Sequence, residues 1–272
     1  MTKEDILSKA KALLGTQTHV PKVLGSGSAT LEAAKAILER PQGELNAIFA
    51  FDTTGSMQSL RETVRDNLDK IIDQLLVTDK VNIMVCGVGE YCDAPYTLQM
   101  NEFTHDPQKL KDQIYEMRNT NGGGPEQVSL ELLFEELNTK YIQPGKKYLA
   151  VVISDEIAHG QDEKVQNPRA DYKKELIKLK KSLCGLHFVS CSDEQNIISL
   201  QKKLIDLENE NELFIEFKDM MILPELLVAI TKRTISPVLV ERYMAQLQSS
   251  PEQENHLTAS KIRGYLTTGK SK

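Results

Sequence analysis

The chain has 272 residues, 40% hydrophobic and 26% charged, with a formal net charge of −6. That length can bury the core of one large α/β domain with terminal extensions, and the acidic balance, with no basic tract, excludes a general nucleic-acid partner. The N-terminus lacks a charged-then-apolar signal pattern and no apolar run is long enough to span a bilayer, so the expectation is a cytoplasmic protein with no membrane partner.

Residues 3–14 carry Ile6, Ala10, Leu13 and Leu14 at helical spacing, which predicts a short amphipathic helix. A linker follows over 15–28, marked by Pro21 and a Gly-Ser-Gly-Ser turn cluster that lacks the Gly-Lys-Ser/Thr ending of a phosphate loop. Ser28 or Thr30 is placed to cap a helix over 31–38, ahead of Pro41. Residues 1–43 therefore read as a helical extension and linker, 44–235 as the α/β domain, and 236–272 as a helical or partly disordered tail.

Within the α/β domain an apolar run from Leu45 ends in Asp52 and the turn Thr53-Thr54-Gly55-Ser56. A helix over 57–76 is expected next, because Leu60, Val64, Leu68, Ile71, Ile72 and Leu75 share one face. Residues 81–88 are apolar throughout, as in an interior parallel strand. The alternating segment 96–103 follows too short a link for a helical crossover and reads as an antiparallel edge strand. A helix over 107–117 leads to Gly122-Gly-Gly124-Pro125-Glu126, where proline and glutamate mark the start of a helix over 125–137. Strands over 148–154, 186–191 and 213–217 and helices over 173–183, 194–207 and 223–232 complete the alternation. The expected fold is a doubly wound, mostly parallel α/β sheet with one antiparallel edge strand and helices on both faces, Rossmann-like in plan.

In such a sheet, ligands bind beyond the carboxyl ends of the strands. Two strand ends present acids there, Asp52 and Asp155. The side chains of Asp52, Thr54 and Ser56 are hard oxygen donors suited to Mg²⁺, Mn²⁺ or Ca²⁺ rather than zinc. Taken alone, hydroxyls after a strand are also common helix caps. Cys86, Cys92, Cys184 and Cys191 lie in or beside apolar runs without a C-x-x-C spacing and read as reduced thiols packed as small hydrophobes. His187, inside a strand, reads as a satisfied core residue and His159 as a loop hydrogen-bonder, since hard cations prefer oxygen.

Asp52-x-Thr54-x-Ser56, within Phe-Asp-Thr-Thr-Gly-Ser-Met, resembles the metal-ion-dependent adhesion site of von Willebrand factor A domains. The strand ending in Ile153-Ser154-Asp155 is similar to that family's last metal loop, and the order of elements from about residue 44 to about residue 232 resembles the family's. The resemblance implies one divalent cation, Mg²⁺ or else Mn²⁺ or Ca²⁺, held by Thr54 and Ser56 directly, by Asp52 directly or through water, and by Asp155 in the third loop. For the middle loop it implies Thr120, with Asn121, Glu126 or water as alternatives. An A-domain subgroup that includes those linked to alpha-type kinases has Gly-Gly-Gly-Asp-x-Pro-Glu there, and this chain lacks that acid; the same subgroup's Asp-Ala-Pro-Pro-His-Gly is echoed by Asp155-Glu-Ile-Ala-His159-Gly160.

An open coordination position on such a cation accepts an Asp or Glu from another protein. The expected function is an intracellular, divalent-cation-dependent adaptor module. A metal-assisted hydrolase, with Glu126, Glu156 and His159 as its nearby candidates, is one alternative. A degenerate, purely structural domain is the other.

Overall fold

The computed structural model describes residues 45–78, 81–122, 127–161, 169–205 and 212–268. The helices expected over 3–14 and 31–38 and their linker lie outside the described residues, as does Glu126.

Six strands form the main sheet in the order β3-β2-β1-β5-β7-β8. They are β1 (Leu45–Asp52), β2 (Asn82–Val88), β3 (Leu98–Gln99), β5 (Lys147–Ser154), β7 (Gly185–Ser190) and β8 (Leu213–Glu216). All neighbours are parallel except β2 and β3. This is the doubly wound α/β fold with one antiparallel edge strand. Strand order runs outward from β1 in both directions, so the switch point, with its crevice at the carboxyl ends, lies between β1 and β5.

Alternation along β1 assigns its two faces. Ala47, Phe49 and Phe51 join one core and Ile48 and Ala50 the other. Against the first face pack α1 (Gln58–Asp66), α2 (Leu68–Ile71), α3 (Pro107–Glu116), α7 (Leu223–Ile235), α8 (Pro237–Ser249) and α9 (Gln253–Thr268); against the second pack α4 (Leu130–Glu136), α5 (Tyr172–Lys180) and α6 (Gln195–Ile205). Local chemistry sets several starts. Asp106 and Asp171 accept main-chain N–H bonds at the heads of α3 and α5, and Ser236 caps α8 ahead of Pro237.

Three elements differ from the sequence expectation. The single helix over 57–76 breaks at Asn67, whose amide donates to Thr63 O at 3.0 Å, and after α2 it winds as a π-helix over Ile72–Thr78. The edge strand over 96–103 shrinks to Leu98–Gln99 and an Ile83–Thr104 bridge. Beside it, Val85 N donates to the Gln113 side chain (3.1 Å) and Val85 O accepts from the Asn101 side chain (2.7 Å), so side chains replace a longer strand. The helix expected from Pro125 starts at Leu130. Gln127–Val128 form β4, pairing in parallel with β6 (Ile157–Ala158), while Ser129 N donates to Gly89 O at 3.0 Å. Long-range pairing here overrides the local helix signal.

The segment 236–272 reads from sequence as a helical or partly disordered tail. Its described part is helical in α8 and α9. Ala259, Ile262 and Tyr265 are buried against the first face, with the Tyr265 ring 5.5 Å from that of Phe217.

Candidate metal centre

Asp52 is the last residue of β1, and its buried side chain emerges at the switch point. Its Oδ1 accepts from Thr54 N (2.8 Å) and Thr54 Oγ1 (2.6 Å), and its Oδ2 from Ser154 Oγ (2.7 Å) at the end of β5. Thr54 Oγ1 lies 3.3 Å from Ser56 Oγ. Asp52, Thr54 and Ser56 therefore form one hydrogen-bonded chain running from the buried strand end to exposed Ser56. Thr54 makes no side-chain capping bond to the 3₁₀ turn Gly55–Met57 that it precedes, so its hydroxyl serves the carboxylate rather than the helix.

Asp155 and Glu156 follow β5 directly. Carboxylate oxygens of Asp52, Asp155 and Glu156 all lie within 4.8 Å of one another. Such a convergence of acids is costly without a compensating charge. Burial, helped by the Asp155 charge, pushes the Asp52 carboxyl up to about 6. Asp155 Oδ1 is buried without a hydrogen-bond partner. An orphaned carboxylate oxygen beside two other acids and two hydroxyls is a donor set that fits a hard divalent cation.

The middle loop reaches the site from the end of α3. Thr120 N donates to Thr53 O at 2.8 Å, and Thr120 Oγ1 lies 3.1 Å from Thr53 Oγ1. The Thr120 hydroxyl thus engages the residue between Asp52 and Thr54. Gly122 sits in the left-handed region (φ 61°), where a Cβ would be 3.5 Å from Thr54 Cγ2. Asn121 N donates to Asp93 Oδ1 at 3.2 Å.

Three contributors lie outside the ligand motif. Ser154 orients Asp52 and also accepts from Glu156 N at 2.9 Å. Glu156, named from sequence only as a candidate of the hydrolase alternative, belongs to the carboxylate trio. Arg61, on α1, donates from Nη1 to Asp52 O (2.6 Å) and Thr54 O (3.3 Å) beneath the first loop. No local motif marks any of them, because each acts across the sheet or from the far side of a helix.

His159 and His187 behave as sequence suggests. His159 Nε2 lies 3.0 Å from Glu90 Oε1, and its ring stacks on Tyr91 at 4.0 Å. His187 Nδ1 accepts from Leu213 N at 3.0 Å, and burial pushes its imidazole down to about 3, so it is a neutral core residue. All four cysteines are free, but Cys92 is exposed on the turn after β2 rather than packed. Among the described residues no helix is long and apolar enough to cross a membrane.

Fold and site together define a doubly wound α/β domain with a cation-competent acidic cluster at its switch point. No family model and no curated protein matches the chain. Solved structures do. The PilB minor pilin from Streptococcus sanguinis aligns with a TM-score of 0.51 at 14% identity, covering 71% of this chain and 62% of the pilin. The pilus adhesin SpaC from Lactobacillus rhamnosus GG gives 0.51 at 10% identity, over 71% of this chain and 30% of the adhesin. Proximal thread matrix protein 1 from the mussel byssus gives 0.49 at 14%, over 69% and 48%. The chain spans less than two thirds of each of these proteins, and at such identities the likeness to the pilin and the adhesin is one of fold alone.

Proposed function

We propose that residues 44–235 are a von Willebrand A-type domain that binds a partner protein through a divalent cation, Mg²⁺ or else Mn²⁺ or Ca²⁺. The observation that carries this reading is the meeting of the Asp52, Asp155 and Glu156 carboxylates with Asp155 Oδ1 left unpartnered. Asp52, Asp155, Thr54 and Ser56 would hold the ion, with the middle loop at Thr120 beside them. When bound, the ion supplies a Lewis-acidic position that an Asp or Glu of the partner completes. The setting proposed is intracellular, with neither nucleic acid nor membrane as partner.

The surroundings suit a docking surface. Met220 and Met221, on the turn after β8, are 44% and 62% exposed. Ser59 Oγ, one helical turn from Ser56, donates to Met220 Sδ at 3.5 Å. An adaptable apolar patch therefore meets α1 one helical turn from Ser56.

Partner capture from cell extract, with and without chelator, tests the reading. Capture should be lost with chelator, return with Mg²⁺ or Mn²⁺, and fail for Asp52→Ala. Chelator-resistant capture by the wild type would overturn a metal-bridged interface.

A further inference from the structure

We propose that Arg61 and Arg65 form a clamp on α1 that sets the position of the middle loop and, through it, the affinity of the cation site. This rests on the cation reading above and concerns a part of the site that the ligand motif does not describe. The two arginines are four residues apart and so lie on one helix face. Arg65 donates from Nε to Ile114 O (3.2 Å) and from Nη2 to Met117 O (2.8 Å), holding the last turn of α3 and its exit. Arg61 reaches further. Besides the first-loop carbonyls of Asp52 and Thr54, its Nη2 donates to Asn119 Oδ1 at 2.5 Å.

A single head group thus joins the first metal loop to the residue before Thr120. Arg61 is 3% exposed. Burial lowers its pKa only to about 10, with the Asp52 charge opposing the shift, so it stays cationic at neutral pH. A planar fork with five donors spans two main-chain carbonyls and an amide oxygen together; a lysine ammonium radiates three donors from one point and does not reproduce that fork. From Asn119 the linkage continues through the Thr120–Thr53 bonds to Gly122 against Thr54.

The clamp also bears on the acid missing from the middle loop. The described part of the loop, Asn119 to Gly122, carries no carboxylate and so no charge to pull it toward an ion. Its place must come from the protein, and Arg61 supplies that from beneath. In this arrangement Arg61 is a positioning residue: it touches the loops and not the ion.

Five full-length proteins test the proposal: wild type, Arg61→Lys, Asn119→Ala, the double variant and Asp52→Ala. Asn119 is exposed, so its variant leaves the core intact. Mg²⁺ affinity is read by titration calorimetry, and exchange of the Thr120 amide is read without ion. Both variants should bind Mg²⁺ about 10- to 100-fold more weakly and exchange the Thr120 amide faster, and the double variant should be no weaker than Arg61→Lys, because both remove the same link. Wild-type affinity in both variants, with a normal wild-type response, overturns the clamp alone. A wild type indifferent to Mg²⁺, Mn²⁺ and Ca²⁺, matching Asp52→Ala, overturns the cation reading and the affinity claim together. Unchanged Thr120 exchange in Asn119→Ala overturns the loop linkage whichever way the ion behaves.

Discussion

Ser154 Oγ donates a 2.7 Å hydrogen bond to Asp52 Oδ2 across the β1–β5 switch point, while the same oxygen accepts from Glu156 N at 2.9 Å. One hydroxyl therefore ties the first acid to the loop that carries the other two. The parallel register of β1 and β5, which pairs Phe51 with Ile153, brings the next two residues to the same level.

Removing that hydroxyl should loosen both loops. Ser154→Ala is expected to cost about 1.5–3 kcal/mol, the range for a hydrogen bond to a charged group, as read by urea unfolding without divalent ions. The stabilisation gained on adding Mg²⁺ should also fall, because Asp52 loses the contact that orients it.

The Asp52 carboxyl gives a pH signature. Burial first, and the Asp155 charge as a further cause, raise it from 3.8 to about 6. The folded state then holds this proton more tightly than the unfolded state. The stability from this group is fully present below the unfolded value and is lost as pH rises through about 6. Replacing the charge by Asp52→Asn should therefore stabilise the ion-free protein at neutral pH relative to wild type, and that advantage should fade in acid. In the wild type, the melting shift produced by Mg²⁺ should shrink as pH falls through the same window, because a proton competes with the ion. Thermal melts across the window, with and without Mg²⁺, check both.

Tyr265→Ala tests whether α9 belongs to the core. The side chain is fully buried, its ring lies 5.5 Å from that of Phe217, and its hydroxyl accepts from Lys218 N at 3.3 Å. By analogy with other large aromatic truncations the loss should be about 3–5 kcal/mol, measured by chemical denaturation. An α9 held only loosely would show almost no change.

Met221→Ser separates the docking surface from the ion site. The side chain is exposed and is not a candidate ligand, so the Mg²⁺ melting shift should stay at the wild-type value. Partner capture should weaken by about tenfold, the effect of forgoing part of the burial of one methionine.

The site was legible in sequence where its chemistry follows the chain. Asp52, Thr54 and Ser56 alternate through one turn after an apolar strand, and the structure joins them in a hydrogen-bonded chain. Asp155 closes an equally plain apolar run. Glu156 stood out only as a candidate of the hydrolase alternative, because nothing local shows how near β5 brings it to Asp52. Thr120 was implied only by the family resemblance, and its observed contact is with Thr53. Arg61 reads as one more charge on an amphipathic helix until α1 is laid over the first loop.

Hydrophobic periodicity and turn residues determined, without the structure, the doubly wound class, six strands and the antiparallel edge, since these signals act over a few residues. Tertiary structure decided the rest. The β4–β6 pairing delayed α4 to Leu130, Asn101 and Gln113 shortened the edge strand, and packing against the sheet gave the C-terminal segment its buried face. The carboxylate trio and the arginine clamp arise the same way, from strand register and helix placement that bring together residues far apart in sequence. Non-local contacts of this kind leave no mark in local sequence patterning, because each partner is an ordinary choice for its own element.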